Sequence, residues 1–318
     1  MSETQLSVVD VAVAVVQRSD GRVLLAERPQ HKVSGGYWEF PGGKFNAGEN
    51  PEQALARELH EEIGIELDTA HRWMTYEHAY PNKIVRLHFF RVTAWHGTPR
   101  GNEGQRVSWE DPYAPSVSPL LPANDKVLRA LCLAPVYAIT DATKYGISDF
   151  LGRLEHALDG GLRMVLVRER TMAPEQLAQF ARQVIVRARN YGADVLIEAN
   201  ESIARKVGAD GVHSQAADMQ RLLARPKIRL WAVSCHNAAE LAQAAKLGAD
   251  FVLLSPVLPT PSHPDRPGMG WARFAEMVRD YPLPVYALGG MRPELLDTAV
   301  RHGAHGVAIH AAFWERGH

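Results

Sequence analysis

The amino-acid sequence predicts two domains of α/β and α+β architecture, a mixed domain over residues 1–131 followed by a (β/α)8 barrel over residues 135–318. The chain has 318 residues, which is enough for two domains of ordinary size. Long β-rich runs surround one well-marked helix in the first part, whereas short apolar runs alternate with helical stretches in the second. A proline-rich loop at residues 111–125, followed by one short helix, places the boundary near residues 131–135.

The charge balance and the cysteine content favour a cytoplasmic protein. The 35 basic and 36 acidic side chains leave a net charge of −1, which gives no reason to expect a nucleic-acid or membrane partner. Cys132 and Cys235 are far apart and have no metal-like spacing, so we expect no disulfide framework. No apolar run reaches the ~18 residues of a membrane span, and the first residues lack the basic segment of a signal peptide.

Strand signals come first along the chain. Residues 8–16 and 23–26 are rich in β-formers and are separated by the turn pair Asp20-Gly21, which predicts a β-hairpin. Residues 84–95 are a long β-branched and aromatic run, which predicts another strand.

One helix is well marked between these strands. Asn50 can cap it, Pro51 suits its first position, and Gln53 completes a capping-box pattern. Gly64 is a stop signal. The sequence therefore predicts a helix over residues 51–63.

Three acidic side chains lie together near the end of this helix. At about 100° per residue, Glu58, Glu61 and Glu62 fall within about 100° of one another. Carboxylates so close repel one another unless a cation lies among them. Oxygen ligands of this kind suit Mg²⁺ or Mn²⁺ bound to substrate phosphates. Gly42 and Gly43 allow the preceding loop to approach closely, so that a backbone carbonyl, assigned to Gly42, can join the ligands.

The spacing of the glycines and acids matches the Nudix box at each of its fixed positions. These positions are Gly43, Glu49, Arg57, Glu58, Leu59, Glu61, Glu62, Gly64 and Ile65. The first domain therefore resembles the Nudix hydrolases, and the resemblance implies a Nudix α/β/α sandwich. Over residues 8–130 it resembles the MutT-type 8-oxo-dGTP diphosphatases, through "EFPGGK" (39–44), "GNEGQ" (101–105) and "LPAND" (121–125).

This resemblance implies further site residues. Glu103 matches one more metal-associated glutamate, and Asn124 matches the residue that reads the purine base. Arg28 and Phe40 fall where MutT-type enzymes contact the nucleotide. Asn82 stands where that family has an aspartate, and an amide that donates as well as accepts can alter base preference.

The resemblance also implies the reaction, which is attack of a metal-bound water on a nucleoside triphosphate. The products are a nucleoside monophosphate and pyrophosphate, with Mg²⁺ as cofactor and Mn²⁺ as an alternative. Glu58 is the leading general base, held by Arg57, and Glu103 is the runner-up. The sequence leaves the base open among Glu58, Glu61 and Glu103.

The second part carries eight short apolar runs with helices between them, such as those predicted at residues 174–189 and 238–246. The runs cover residues 136–140, 164–167, 194–199, 211–214, 230–235, 251–257, 284–290 and 306–311. A Gly-Ala-Asp or Gly-Ala-His phrase precedes four of them, which suits a left-handed helix end before a buried strand. Eight such units predict a (β/α)8 TIM barrel with its functional loops at the C-terminal strand ends.

Residues 135–314 resemble the thiamine phosphate synthase/TenI family. The matching phrases include "YAITD" (137–141), "ADGVH" (209–213), "SPVLPT" (255–260) and "ALGGM" (287–291). The resemblance implies a phosphate or ligand site at the barrel mouth. Its candidate residues are Arg168, Arg170, Ser234, His236, Thr260, Gly289 and Gly290.

Several working residues of the synthases are replaced. At the matching positions the synthases have other residues. They have a glutamine in place of Leu166, a lysine in place of Arg170, a magnesium-binding aspartate in place of Ala199, a lysine in place of His263 and a serine in place of Ala311. These changes argue against ordinary synthase activity. They leave a thiazole tautomerase, in which His236 would be the functional histidine, or a non-catalytic sensor of a phosphorylated thiamine-pathway ligand.

The expected partners are therefore small phosphorylated molecules. The leading hypothesis is an 8-oxo-dGTP diphosphatase that cleans the nucleotide pool. The alternative is a Nudix hydrolase of another diphosphate, such as a pyrimidine pyrophosphate or a thiamine-pathway pyrophosphate, which the fused barrel motivates.

Overall fold

The computed structural model describes residues 6–260 and 267–315, which divide into two compact units. The first unit runs to Cys132 and also takes in Arg279–Pro282. The second comprises Leu133–Val278 and the residues from Leu283 onward. No helix in these described ranges is long and apolar enough to cross a membrane.

The first unit contains seven described strands in two sheets. The strands are β1 Ser7–Val16, β2 Val23–Glu27, β3 Trp38–Glu39, β4 Gly42–Lys44, β5 Glu66–Tyr80, β6 Lys83–His96 and β7 Val107–Glu110. One sheet has the order β4-β1-β6-β5 and the other β3-β2-β7. Within the first sheet β1 is parallel to β6, and the remaining pairs are antiparallel. Its helices are α1 Pro51–Ile63 and α2 Asp125–Leu131, the latter preceded by a 3-10 turn at Pro122–Asn124.

Strand β1 divides the core of this unit in two. Val13 and Val15 point into a cluster that includes Val127 and Leu128 of α2. Ala12 and Ala14 point to the other side, into a cluster built on Leu55, Leu59 and Ile63 of α1. Alternate residues of a strand face opposite sides, so the sheet lies between two helices and the predicted α/β/α sandwich is confirmed.

Three local expectations for this unit differ from the structure. The predicted hairpin is limited to a short antiparallel turn, with the bridge Gln17–Val23 and an Arg18 N–H bond to the Arg22 carbonyl, because β1 and β2 belong to different sheets. The turn itself is present, with Gly21 at φ 85°. The predicted loop before the helix is in part a strand, since β4 pairs with β1. Strand β5, which the sequence analysis did not identify, pairs along its length with β6.

The second unit is a closed barrel of eight parallel strands, as predicted. The strands are β8 Val136–Ile139, β9 Met164–Val167, β10 Asp194–Ile197, β11 Gly211–Ser214, β12 Leu230–Cys235, β13 Phe251–Leu254, β14 Val285–Ala287 and β15 Gly306–Ile309. The described helices are α3 Ala142–Tyr145, α4 Ile147–Asp159, α5 Pro174–Arg189, α6 Glu201–Val207, α7 Ala216–Met219, α8 Ala238–Leu247, α9 Gly270–Val278, α10 Leu296–Arg301 and α11 Ala311–Trp314, with a 3-10 turn at Pro293–Leu295.

Large side chains fill the barrel interior. Tyr137, Leu166, Phe251 and Tyr286 are buried in one cluster. The interior is therefore a packed core, and the side chains available for ligands lie at the strand ends, as is usual for barrels of this kind.

Candidate active site

Helix α1 begins and ends where the sequence predicts, which fixes the direction of its acidic face. Asn50 Oδ1 accepts the Gln53 N–H at 2.9 Å, and Gln53 Oε1 accepts the Asn50 N–H at 3.0 Å. Gly64 ends the helix in the left-handed region, at φ 67°. Because the apolar stripe packs against β1, the glutamates of the last two turns lie beside β4.

Arg57 organises the acids on this face. Its Nε and Nη2 donate to the two oxygens of Glu49 at 2.7 and 2.9 Å. Its Nη1 donates to Glu58 at 2.7 Å and to Glu61 at 3.1 Å, and Nη2 also donates to the Lys44 carbonyl at 2.9 Å. The Arg57 hydrogen bond holds the pKa of Glu49 down at about 2. The structure thus brings Glu58 and Glu61 together through one guanidinium.

Glu62 is buried beside Gly42 of β4. Its side chain accepts the Gly42 N–H at 2.9 Å, and the residue is only 7 % exposed. Burial raises its pKa to about 7, and repulsion from Glu39 and Glu58 adds to the effect. In this structure Gly42 therefore contacts the site through its backbone N–H, which binds Glu62, whereas the sequence analysis assigned its carbonyl to the metal. Gly42 approaches β1 so closely that a Cβ would lie 2.1 Å from the Ala12 carbonyl oxygen.

Gly43 provides the surface on which Glu58 lies. A Cβ at Gly43 would be 2.0 Å from Glu58 Cδ and 2.2 Å from each carboxylate oxygen. Real Cβ atoms do not come so close, so only glycine permits this position of Glu58.

Glu103 lies on a loop that is fastened to the end of α1. Gln105 Nε2 donates to the Glu62 carbonyl at 2.8 Å, and the Asn102 N–H donates to the same oxygen at 3.0 Å. The Glu103 carboxylate forms an ion pair with Lys32 at 2.6 Å. Sequence reasoning missed Lys32, because it lies 71 positions from its partner.

These donors suit a hard divalent cation, although their present partners are other side chains. In residues 6–260 and 267–315, no three His, Cys, Asp or Glu side chains are grouped so that they could hold a metal ion. Arg57 holds Glu58 and Glu61, and Lys32 holds Glu103. The donor atoms are all oxygens, and the buried Glu62 lacks a cationic partner within ion-pair distance among the described side chains. Both properties fit Mg²⁺ or Mn²⁺.

Arg28 makes contacts within and beyond the loop that follows it, residues 29–37. Its Nη1 forms an ion pair with Glu39, and its Nε donates to the Val33 carbonyl at 2.9 Å. Glu39 was not singled out by sequence; its pKa is raised by burial, against the attraction of Arg28. The predicted nucleotide contact therefore also fixes the shape of residues 28–37.

The other predicted nucleotide residues differ in burial. Phe40 is 2 % exposed and packs edge-on against Phe89 in the core. Asn124 is 5 % exposed, and its Nδ2 donates to the Trp38 carbonyl at 3.2 Å. Asn82 is exposed in the turn between β5 and β6. Asn124 and Arg28 thus approach the same short segment, residues 38–39, from two elements.

In the second unit, charged residues gather where β9 and β10 end. The Arg168 N–H donates to Thr140 Oγ1 at 3.0 Å. Burial lowers the pKa of the Arg168 guanidinium, while Glu198 attracts it at longer range. Arg170 Nε pairs with Glu198 at 3.0 Å, and Gln215 donates to the same carboxylate at 2.5 Å.

Two predicted residues belong to the end of β12, Ser234 within the strand and His236 directly after it. Ser234 Oγ lies 2.8 Å from His213 Nε2, and burial lowers the pKa of His213 to about 3, so this ring is neutral. His236 Nδ1 lies 2.9 Å from the Ser255 carbonyl oxygen and 3.2 Å from Ser255 Oγ.

The remaining predicted residues lie after β13 and β14. Gly289 and Gly290 have φ of 97° and 68°, and a Cβ at either would meet residues 256–259 at less than 3.0 Å. Thr260 is half-buried at the end of a described range. His263 lies outside the described residues.

Two family models match the chain. Residues 12–130 match the model described as NUDIX domain. Residues 136–313 match the model described as thiamine monophosphate synthase.

Curated relatives match each part over most of their own length. The 8-oxo-dGTP diphosphatase of Haemophilus influenzae is 39 % identical over 124 residues, which are 39 % of this chain and 91 % of that protein. The CTP pyrophosphohydrolase of Escherichia coli is 37 % identical over 125 residues, 39 % of this chain and 92 % of that protein. The putative thiamine-phosphate synthase 2 of Aquifex aeolicus is 36 % identical over 185 residues, 58 % of this chain and 99 % of that protein.

Proposed function

Since the chain belongs to the Nudix hydrolases through its first domain, we propose that this domain hydrolyses 8-oxo-dGTP to 8-oxo-dGMP and pyrophosphate. Through its barrel the chain belongs to the thiamine monophosphate synthase family. The chain is a Nudix pyrophosphohydrolase by family. The nucleotide, the metal requirement and the roles of individual residues are the proposal.

The observation that carries the proposal is the fixed position of Glu58. One carboxylate oxygen accepts from Arg57 at 2.7 Å, and the group lies against Gly43, where no side chain competes for its space. A general base must be within hydrogen-bond reach of the proton that it removes, and a fixed carboxylate meets this condition at a defined place. Arg57 acts as a positioning residue for Glu58, because the guanidinium of Arg57 is itself held by Glu49.

Four residues around Glu58 would hold the divalent cation, namely Gly42, Glu61, Glu62 and Glu103. When bound, Mg²⁺ neutralises phosphate charge and lowers the pKa of a coordinated water. Glu62 contributes a carboxylate whose pKa is raised chiefly by burial. Water attack on phosphorus then needs Glu58 to accept the proton.

The preference for the oxidised base is assigned to Asn124. Its Nδ2 already donates to the Trp38 carbonyl, which leaves Oδ1 to accept a hydrogen bond. Guanine has only an acceptor at N7, whereas 8-oxoguanine carries N7–H. A buried acceptor that meets N7–H favours the oxidised base, because unoxidised guanine would leave it unpaired.

A pyrophosphate-release panel tests this proposal on the full chain. The substrates are 8-oxo-dGTP, dGTP, CTP and thiamine-pathway diphosphates, each with Mg²⁺, with Mn²⁺ and with EDTA. We expect the highest kcat/KM for 8-oxo-dGTP and no turnover in EDTA. Full activity in EDTA contradicts the metal assignment, and a higher kcat/KM for another substrate contradicts the nucleotide assignment.

A pyrimidine nucleotide is the second candidate substrate. It is favoured by the CTP pyrophosphohydrolase relative, which is nearly as similar to this chain as the 8-oxo-dGTP diphosphatase. Asn82, exposed in its turn, is where the chain departs from the aspartate of MutT-type enzymes. The CTP arm of the panel decides between the two.

For the barrel we propose binding of a phosphorylated ligand without ordinary synthase turnover. Arg168 supports binding, because a half-buried guanidinium at a barrel mouth attracts an anion. Leu166 is 1 % exposed within the barrel core, and alanine at position 199 offers no ligand for a metal. Glu198, which is adjacent, is already engaged by Arg170.

Two measurements on the full chain test the barrel proposal. Thiazole phosphate should raise the melting temperature, and a synthase assay should give far less than the ~1–10 s⁻¹ of an ordinary enzyme. Turnover at that ordinary rate contradicts the proposal. His236, whose ring is oriented by the contact of its Nδ1 with the Ser255 carbonyl oxygen, favours thiazole tautomerisation as the activity to assay next.

A further inference from the structure

Lys32 brings a positive charge to the acidic end of α1. Its Nζ lies 2.6 Å from Glu103 Oε2, and the two side chains are 41 % and 42 % exposed. Burial raises the pKa values of Glu39 and Glu62, and the nearby charge of Lys32 opposes both rises. The Lys32 ammonium group is therefore paired with Glu103, on the side where the nucleotide phosphates are expected.

Hydrogen bonds fix the backbone of the loop that carries Lys32. Arg28 donates its backbone N–H to the Tyr37 carbonyl at 2.7 Å and closes the two ends of residues 28–37. Within the loop, Arg28 Nε holds the Val33 carbonyl, and the Lys32 N–H donates to Pro29 at 3.0 Å. The flexible four-carbon stem of lysine can thus turn while its base stays in place.

We propose that Lys32 is a phosphate-binding residue of the hydrolase site, held on Glu103 in the free protein and transferred to the phosphate chain when a nucleotide binds. The inference rests on the proposed function of the first domain. An exposed ion pair contributes little to stability, so its exchange costs little. A lysine ammonium is a compact charge that binds phosphate well. The same exchange frees Glu103, which the proposed metal site uses.

A role limited to fastening the loop predicts different measurements. If Lys32 only joined residues 28–37 to Glu103, its loss would affect the loop and not the affinity for a phosphate compound without a base. Inorganic pyrophosphate is such a compound, and its dissociation constant in Mg²⁺ can be measured by titration calorimetry. This readout separates phosphate binding from base recognition and from turnover.

The test compares the full-length protein with Lys32→Met, Lys32→Arg and the control Lys144→Met. Lys144 is a matched control because it is an exposed lysine paired with a glutamate, Glu315, at 3.0 Å. We expect the dissociation constant of pyrophosphate to rise roughly tenfold in Lys32→Met, the effect of losing one hydrogen bond between charged groups. Lys32→Arg should stay within about threefold of wild type, and Lys144→Met should not differ.

The same variants are assayed with 8-oxo-dGTP, and kcat/KM should fall by a similar factor in Lys32→Met alone. Unchanged pyrophosphate affinity in a folded Lys32→Met protein overturns the proposal. Circular dichroism melting confirms folding, and if Lys32→Met melts early, Lys32→Gln replaces it. Absence of nucleotide hydrolysis by wild type would refute the proposed function instead, while the pyrophosphate titration would still decide the role of Lys32.

Discussion

Replacing Gly43 by alanine should inactivate the hydrolase site while the domain stays folded. Gly43 does not have a left-handed backbone, so alanine is compatible with its conformation. The added Cβ would lie 2.0 Å from Glu58 Cδ and 2.2 Å from both carboxylate oxygens. The atoms that must yield are the far end of a flexible side chain, so Glu58 will move and the backbone will not.

The size of the effect follows from this distance. Ordinary contact between carbon atoms is about 3.5 Å, so the carboxylate must retreat by more than about 1 Å. That movement breaks the 2.7 Å hydrogen bond to Arg57 and displaces the proposed general base. A misplacement of about 1 Å costs roughly 100-fold in rate. We therefore expect kcat for 8-oxo-dGTP to fall about 100-fold.

Two other glycines are controls for this experiment. Gly42→Ala would place a Cβ 2.1 Å from a backbone oxygen of β1, so it should disrupt the pairing of β4 and lower the melting temperature. Gly152→Ala on α4 meets no atom within 4 Å and should leave activity unchanged. Steady-state pyrophosphate release gives kcat, and circular dichroism gives the melting curve. Wild-type kcat in Gly43→Ala, or melting as early as Gly42→Ala, would refute the reasoning.

Three further predictions concern single side chains. Asn124→Ala should raise KM for 8-oxo-dGTP about tenfold more than KM for dGTP, because it removes a buried acceptor; equal increases would remove Asn124 as the discriminating residue. Glu62→Gln keeps the size of a buried side chain and should melt near wild type but lose about 100-fold in kcat; full turnover would exclude Glu62 from the site. Burial lowers the pKa of Lys126 to about 8, below the ~10.4 of the unfolded chain, so its charge is unfavourable in the folded state at neutral pH. Lys126→Met should add about 2 kcal/mol to the free energy of unfolding at pH 7, after allowance for the lost cation–π contact. This gain should shrink between about pH 8 and pH 10, where Lys126 loses its charge in the folded protein. Urea titrations across this range measure the gain, and a constant gain would contradict the argument.

Local signals predicted the parts of the fold that depend on neighbours in sequence. The capping box at Asn50 and Gln53 forms as expected, because its hydrogen bonds join residues three positions apart. Helix α5 occupies the predicted residues 174–189. The eight barrel strands were found because each is a short buried run, although the structure ends several of them one to three residues earlier.

Non-local pairing explains what the sequence did not reveal. A turn signal at Asp20-Gly21 indicates that the chain reverses, but it does not say which strand becomes the neighbour of β1. The structure gives β1 the neighbours β4 and β6. Strand β5 escaped notice because its ends are partly exposed and carry no clean alternation.

Side-chain partners across the candidate site were hidden for the same reason. The carboxylate face of α1 could be read from one helix, since its members recur at helical spacing. Arg57 as their common partner was also within reach, because it lies on the same helix. Glu39 and Lys32 come from a strand and a loop, and only the folded chain places them near Glu62.

The acidic end of α1 holds more negative charge than the surrounding chain balances. Four carboxylates lie there, those of Glu49, Glu58, Glu61 and Glu62. Arg57 supplies one positive charge for the first three, and Lys32 is engaged with Glu103 on the exposed side. Burial is the main cause of the raised pKa of the fourth carboxylate, Glu62, and repulsion from Glu58 adds to it. A chain that only needed a stable helix would gain by replacing these acids, because like charges on one face destabilise it. A divalent cation among these carboxylates, as proposed above, would offset that repulsion, and its remaining coordination positions would be open to substrate phosphates.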